Sequence, residues 1–203
     1  EDREAFKELM AELDIKMPRS ETVTNVADAE RVARELRFPV VLRPAYMMGG
    51  TGGGLVHNIE ELRTVCARGL AASMVGQVLV EESVLGWQEL ELEVVRDAKD
   101  QMITVCTIEN VDPMGVHTGD SFCVAPMLTV EQNVIDRLQE AAYRVVSQVG
   151  VIGGCNVQFG YDPHTDRFVI IEINPRTSRS SALASKATGF PIAMVSTLLA
   201  AGL

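Results

Sequence analysis

Arg167-Phe168-Val169-Ile170-Ile171-Glu172-Ile173-Asn174-Pro175-Arg176 carries the first clear signal in this chain. Its apolar run, 168–171, is rich in β-branched residues and reads as a buried strand. Alternate residues of a strand face one side, so Glu172 and Asn174 point together off its end. Both are hard oxygen donors of the kind that suits Mg²⁺. Pro175 has no N–H with which to continue a central ladder and is expected to stop the strand. Arg176 follows just past the stop. Taken alone, a Glu-x-Asn end is more often a polar strand terminus leading into a solvated loop, so the neighbouring segments decide its meaning.

Upstream, Asn156-Val157-Gln158-Phe159 reads as another strand, with Asn156 and Gln158 on one face and a turn over 162–166 leading back. Before it, residues 129–150 place Val134, Leu138, Ala141, Ala142, Val145 and Val146 at helical spacing. Thr129 is the expected N-cap of that helix, with Gln132 third after it. Earlier still, Glu89, Glu91 and Glu93 alternate with Leu90, Leu92 and Val94. That is the pattern of a half-buried strand whose acidic face is expected to meet solvent. A hairpin turn over 97–101 leads to its partner strand, 102–108. The polar loop 110–121 is long enough to carry function, although a lone histidine such as His117 is more often structural. Downstream, the small polar residues 178–181 and 186–189 could line an anion site at a helix N-terminus.

A second informative stretch is Met47-Met48-Gly49-Gly50-Thr51-Gly52-Gly53-Gly54, with five glycines in six positions. Such density costs backbone entropy and makes sense where bare N–H groups must approach a ligand, phosphate being the usual anion. No Gly-Lys-Ser/Thr follows, and Leu55 stands where the dinucleotide fingerprint needs glycine. The run joins the strands 40–42 and 55–57, so it reads as a flexible flap. A helix then enters at Asn58, with Glu61 three residues on. The strand 77–82 ends in Glu81-Glu82, carboxylates that could accept from ribose hydroxyls. Residues 1–14 and the stretch after Thr24-Asn25 also carry helical periodicity.

At 203 residues the chain is long enough for one large core or two smaller subdomains. Its net charge of −10 argues against nucleic acid and anionic membrane as partners. No apolar run approaches the roughly 18 residues of a membrane span. The four cysteines are far apart and sit among apolar neighbours, which suggests reduced thiols in a cytoplasmic protein. They have no ligand spacing with the histidines, so no zinc site is expected. Neither terminus looks natural, and a longer parent chain is expected.

The glycine flap, the acidic strand end and the late strands bearing Gln158, Glu172 and Asn174 together resemble the ATP-grasp superfamily, an α+β fold in which two α+β subdomains clamp ATP. More closely, four segments resemble the carbamoyl phosphate synthetase large-chain family over essentially the whole sequence. They are Arg43-Pro44 with the glycine run, Gly115-Val116-His117-Thr118-Gly119-Asp120-Ser121, Asn156-Val157-Gln158-Phe159, and Ser178-Arg179-Ser180-Ser181-Ala182-Leu183-Ala184-Ser185-Lys186-Ala187-Thr188-Gly189. The intact glycine run and the last segment are similar to the first of that family's two homologous halves, which phosphorylates bicarbonate.

The resemblance implies a smaller subdomain over 1–83, with the N-terminal helix and flap, and a larger one over 84–203 with the metal and nucleotide site. Arg3 and Arg43 would contact nucleotide phosphates, with Gly49 and Gly50 donating from the flap. Glu82, Val84 and Glu89 would hold adenine and ribose, and Gly115, Val116 and His117 would complete the pocket. Gln158, Glu172 and Asn174 would ligate Mg²⁺ or Mn²⁺, and Arg176 would face bicarbonate. Arg43, Glu172, Asn174 and Arg176 are thus the implied catalytic set. A K⁺ site near Glu89, Asn110, Asp112 and Ser121 is also implied; Pro113 departs from the small residue common at its position. The implied partners are ATP, bicarbonate, the remainder of the large chain and a glutaminase small subunit, in arginine and pyrimidine biosynthesis. Two rival readings are a biotin carboxylase relative and an inactive nucleotide-binding fragment.

Overall fold

The computed structural model describes residues 3–45, 53–116 and 121–203, without the side chains of Arg3 and Glu4. Helix α1 (Arg3–Glu12) opens the chain. The chain divides into two compact units, Pro18–Val84 and the pair of segments Glu1–Met17 and Leu85–Leu203.

The unit Pro18–Val84 contains β1 (Ser20–Val23), α2 (Val26–Leu36), β2 (Val40–Pro44), β3 (Gly54–Val56), α3 (Ile59–Ala72) and β4 (Val78–Glu82). The strands form an antiparallel sheet in the order β1-β4-β2-β3. Alternation turns Val40, Leu42, Val78 and Val80 toward Ala29, Val32 and Ala33 of α2 and Leu62 and Cys66 of α3. Both helices start where their caps dictate. Asn25 Oδ1 accepts from Asp28 N at 2.9 Å, and Asn58 Oδ1 from Glu61 N at 2.9 Å. Glu61 Oε2 in turn accepts from His57 N at 2.8 Å, which holds the entry angle of α3.

The larger unit adds β5 (Gln88–Arg96), β6 (Met102–Asn110), β7 (Cys123–Val124), α4 (Gln132–Val149), β8 (Gly153–Asp162), β9 (Arg167–Asn174), α5 (Arg179–Thr188) and α6 (Ile192–Ala200). Its antiparallel sheet runs β7-β6-β5-β8-β9. Leu90, Leu92, Val157 and Phe159 on one face pack against Val134, Leu138, Val145 and Val146 of α4. The other face meets α5 and α6 through Val95, Cys106, Ile108, Ala184 and Ile192. Antiparallel sheets with helices laid on them are the α+β class that the sequence implied. No single helix among the described residues is long and apolar enough to cross a membrane.

Three expectations are corrected. Helix α1 belongs to the larger unit, not to a 1–83 subdomain, because Met10 and Ile15 bury themselves in the core of α4 and β8. The main chain agrees, since Ile170 N donates to Lys16 O at 2.9 Å. The N-cap position of helix α4 is Glu131, which makes no side-chain capping bond, rather than Thr129. The hydroxyl of Thr129 and the N–H groups of Leu128 and Thr129 all donate to the Glu109 carboxylate, which takes Thr129 away from the helix end. Finally, the acidic face of β5 does not meet solvent. Glu89, Glu91 and Glu93 are only 5%, 2% and 1% exposed, because β5 is the central strand and α5 lies across that face.

Candidate active site

β9 stops at Asn174, immediately before Pro175, as the missing N–H requires. The pairing of β8 with β9 sets Gln158 opposite Glu172 and Asn156 opposite Asn174. Glu172 is exposed, so its carboxylate can receive a ligand without unfolding anything. Asn174 Nδ2 donates to Glu172 Oε1 at 3.1 Å, and Arg176 Nη2 donates to Asn174 Oδ1 at 3.3 Å. The Arg176 N–H closes back on Asn174 O at 2.7 Å, which turns the chain tightly after the strand. Gln158, Glu172, Asn174 and Arg176 are therefore brought together at one strand end.

The donor set of Gln158, Glu172 and Asn174 is one carboxylate and two amide oxygens. Such a set would suit a small hard cation such as Mg²⁺, which takes oxygen ligands. Among the described residues no cluster of three His, Cys, Asp or Glu side chains forms an all-protein cage. A nucleotide-borne metal is the kind this site can take.

Behind this exposed end lies a buried polar network. The register continues the row inward, with Glu91 opposite Gln158 and Glu93 opposite Asn156. Asn156 Nδ2 donates to Glu91 Oε2 at 2.8 Å and to Glu93 Oε1 at 3.0 Å. Asn110 Nδ2 donates to Glu91 Oε1 at 2.9 Å, while Asn110 Oδ1 is buried without a hydrogen-bond partner. An orphaned buried acceptor is costly unless something positive meets it, so it fits a bound cation here. Beside it, Asp112 N donates to Ser121 Oγ at 3.2 Å.

The anion expected near residues 178–181 is supplied by the chain itself. Ser180 Oγ and Ser181 Oγ donate to Glu93 at 2.7 and 2.8 Å, and Ser178 Oγ at 3.3 Å. Burial raises the Glu93 carboxyl above the ordinary glutamate value, against the lowering pull of Ser180, Ser181 and Asn156. Burial also pushes the Cys155 thiol up to about 12 and raises Cys66 and Cys106, so these three thiols stay protonated and inert.

In the other unit, alternation places Arg43 and Glu81 on one face of the sheet and Glu82 on the opposite face. Arg43 Nη2 lies 3.1 Å from Glu81 Oε1. Glu82 is nearly buried and accepts from Arg19 N at 2.8 Å and Arg19 Nε at 2.9 Å. Val84 is half-buried just after β4.

Gly115 and Val116 sit in the larger unit, where Met114 N donates to Trp87 O at 2.8 Å and Gly86 N to Met114 O at 3.0 Å. Gly115 has a φ of +115°, a backbone conformation that favours glycine; a Cβ there would meet only the Leu85 side chain, which is half exposed and can move aside. Gly49, Gly50 and His117, together with the Arg3 side chain, lie outside the described residues. Sequence reasoning did not single out Glu91, Glu93, Asn156 or Arg19 as site residues. The sequence signals for the first two were their strict alternation with leucine and valine and the surplus of hydroxyls over 178–181.

Comparison with known proteins adds three findings. Residues 2–203 match the family model described as "Carbamoyl-phosphate synthase L chain, ATP binding domain". The chain is 56% identical over 203 residues to the carbamoyl phosphate synthase large chain of Thermotoga petrophila, covering all of this chain and 18% of that protein. It is 55% identical to the corresponding protein of Thermus thermophilus, covering 100% of this chain and 20% of that one. The chain thus spans about a fifth of the length of these relatives.

Among solved structures it is similar to the biotin carboxylase domain of Hydrogenobacter thermophilus 2-oxoglutarate carboxylase in complex with MgADP, ADP and bicarbonate. There the TM-score is 0.80 and the identity 20%, over 100% of this chain and 45% of that one. N5-carboxyaminoimidazole synthetase from Staphylococcus aureus gives a TM-score of 0.81 at 19% identity, over 99% of this chain and 51% of that one. These likenesses show the fold, which is the ATP-grasp fold.

Proposed function

The chain belongs to the carbamoyl-phosphate synthase L chain ATP-binding domain family, and from that premise we propose that it transfers the γ-phosphoryl group of ATP to bicarbonate. The observation that carries this reading is the strand end of β9, where one carboxylate, two amides and one guanidinium converge. A bicarbonate oxygen attacks the γ-phosphorus, the bond to the β-phosphate oxygen breaks, and ADP leaves with the electron pair. The products are carboxyphosphate and ADP.

Phosphoryl transfer leaves little covalent work for protein groups; positioning and charge neutralisation carry it. Arg176 presents a planar fork of donors that fits bicarbonate and then the carboxyl end of carboxyphosphate. Gln158, Glu172 and Asn174 would hold Mg²⁺ or Mn²⁺, which supplies positive charge to the transferring phosphate. We assign Arg3, Arg43, Gly49 and Gly50 to the phosphates. Glu82, Val84 and Glu89 are assigned to adenine and ribose, and Gly115, Val116 and His117 to the rest of the nucleotide. The orphaned Asn110 Oδ1 supports K⁺ near Glu89, Asp112 and Ser121.

In the longer protein implied by the relatives, we infer that the rest of the large chain consumes carboxyphosphate. A glutaminase subunit would provide ammonia for this, in the cytoplasm. The biotin carboxylase reading is favoured by fold likeness at about one-fifth identity alone. The test is ADP formation by the full-length protein with bicarbonate present and biotin absent. Turnover that rises with bicarbonate supports the proposal, and a strict need for biotin overturns it.

A further inference from the structure

Glu93 sits 1% exposed on the central strand of the larger sheet, and no cation pairs with it among the described residues. A buried carboxylate is expensive, and an apolar side chain of similar size usually serves stability as well or better. The helix it faces does not need it either. Ser178 and Ser181 already satisfy the first turn of α5 through a reciprocal capping box. What the carboxylate does is gather ties from two places. On one side Asn156, the register partner of Asn174, donates its amide at 3.0 Å. On the other, Ser178, Ser180 and Ser181 bring in the N-cap and the second and third residues of α5.

Between those two anchor points the chain has only Pro175, Arg176 and Thr177, and Arg176 is the middle one. We infer that Glu93 is a positioning residue for Arg176, holding both ends of the short span that carries the guanidinium toward bicarbonate. This rests on the reading of Arg176 as the group that faces bicarbonate. The carboxylate touches no substrate; it acts by fixing where β9 ends relative to where α5 begins. The favourable field at a helix N-terminus helps keep that carboxylate in place. Loosening either anchor lets the arm wander, and a misplaced fork loses its fit to a small planar anion while ATP, held by other residues, is bound as before.

The test uses the full-length protein and compares Glu93→Gln, Ser180→Ala, Arg176→Lys and the Glu93→Gln/Arg176→Lys double variant. Glu93→Gln should raise KM for bicarbonate at least about tenfold, with KM for ATP within about twofold of wild type. Ser180→Ala removes the shortest tie but keeps the capping box, so it should fold even if Glu93→Gln does not, and should show the same split at about threefold or more. The double variant should lose little beyond Arg176→Lys alone, since both act on one group. If Arg176→Lys raises KM for bicarbonate but neither Glu93→Gln nor Ser180→Ala does, Glu93 is only structural and the inference is overturned. It is overturned equally if the two losses simply add. If Arg176→Lys leaves the bicarbonate dependence untouched, the acceptor reading itself falls, and this inference with it.

Discussion

Glu172→Ala separates the proposed metal site from the fold. The side chain is exposed and its one described hydrogen bond is from Asn174 Nδ2 at 3.1 Å, so its loss should change folding stability by no more than about 0.5 kcal/mol. Its effect on ligand binding should be far larger, because it is the sole carboxylate among the three proposed ligands. ATP at 100 times its Kd stabilises a folded protein by about 2.7 kcal/mol. For a chain of 203 residues that corresponds to a rise in melting midpoint of about 5–11 °C. Changing even a group that merely supports a ligand costs about 10–100-fold in metal affinity, so removing a ligand outright should reach the upper end. At a hundredfold weaker binding the same ATP concentration equals Kd, and stabilisation drops to about 0.4 kcal/mol, or about 1–2 °C. The assay is thermal unfolding with ATP and Mg²⁺, with and without chelator. Wild type with chelator should fall to the level of the mutant. A mutant that keeps the full metal-dependent shift would remove the metal from this strand end.

Three further outcomes are expected. Glu93 holds its proton more tightly folded than unfolded, so it adds stability that is complete below the ordinary glutamate value and is lost as pH rises through the folded one. Subtracting the Glu93→Gln stability curve from that of wild type should leave a difference that declines from acid toward neutral pH; a rising difference contradicts the burial-raised carboxyl. Gly50→Val should cripple ATP binding while the chain still melts cooperatively, and affinity within about twofold of wild type would reduce the glycine run to a hairpin tip. Phe159 is fully buried and packs edge-to-face on Phe168 at 6.0 Å, so Phe159→Ala should cost about 3–5 kcal/mol in urea unfolding; a loss under about 1 kcal/mol would show that this ring is not central to the core.

The parts of the fold legible in the sequence were those governed by local chemistry. Asn25 and Asn58 cap helices because their side chains reach the N–H groups three residues on, which spacing alone reveals. Pro175 ends β9 because it lacks a donor, and the period of two aims Glu172 and Asn174 together. What escaped was decided at long range. Thr129 looks like a cap, but its hydroxyl is held on the Glu109 carboxylate, twenty residues earlier, and the helix begins two residues later than expected, from Glu131. The stripe of α1 says that the helix packs, not which unit it packs in. Alternating glutamates read the same whether water or a helix covers them, so the burial of Glu91 and Glu93 was invisible from β5 alone. The clue lay in α5, whose Ser178, Ser180 and Ser181 offer more hydroxyls than a helix start uses.

The most direct test of the central claim follows an oxygen atom. If bicarbonate attacks the γ-phosphorus, one of its oxygens becomes bonded to phosphorus and stays there when carboxyphosphate breaks down. Bicarbonate labelled with oxygen-18 is mixed with ATP, Mg²⁺ and the full-length protein, and the released phosphate is weighed before the label exchanges with water. The account predicts one labelled oxygen per phosphate, formed in step with ADP and without biotin. Phosphate that carries no label, its one new oxygen coming from solvent, would show that water, not bicarbonate, accepts the phosphoryl group.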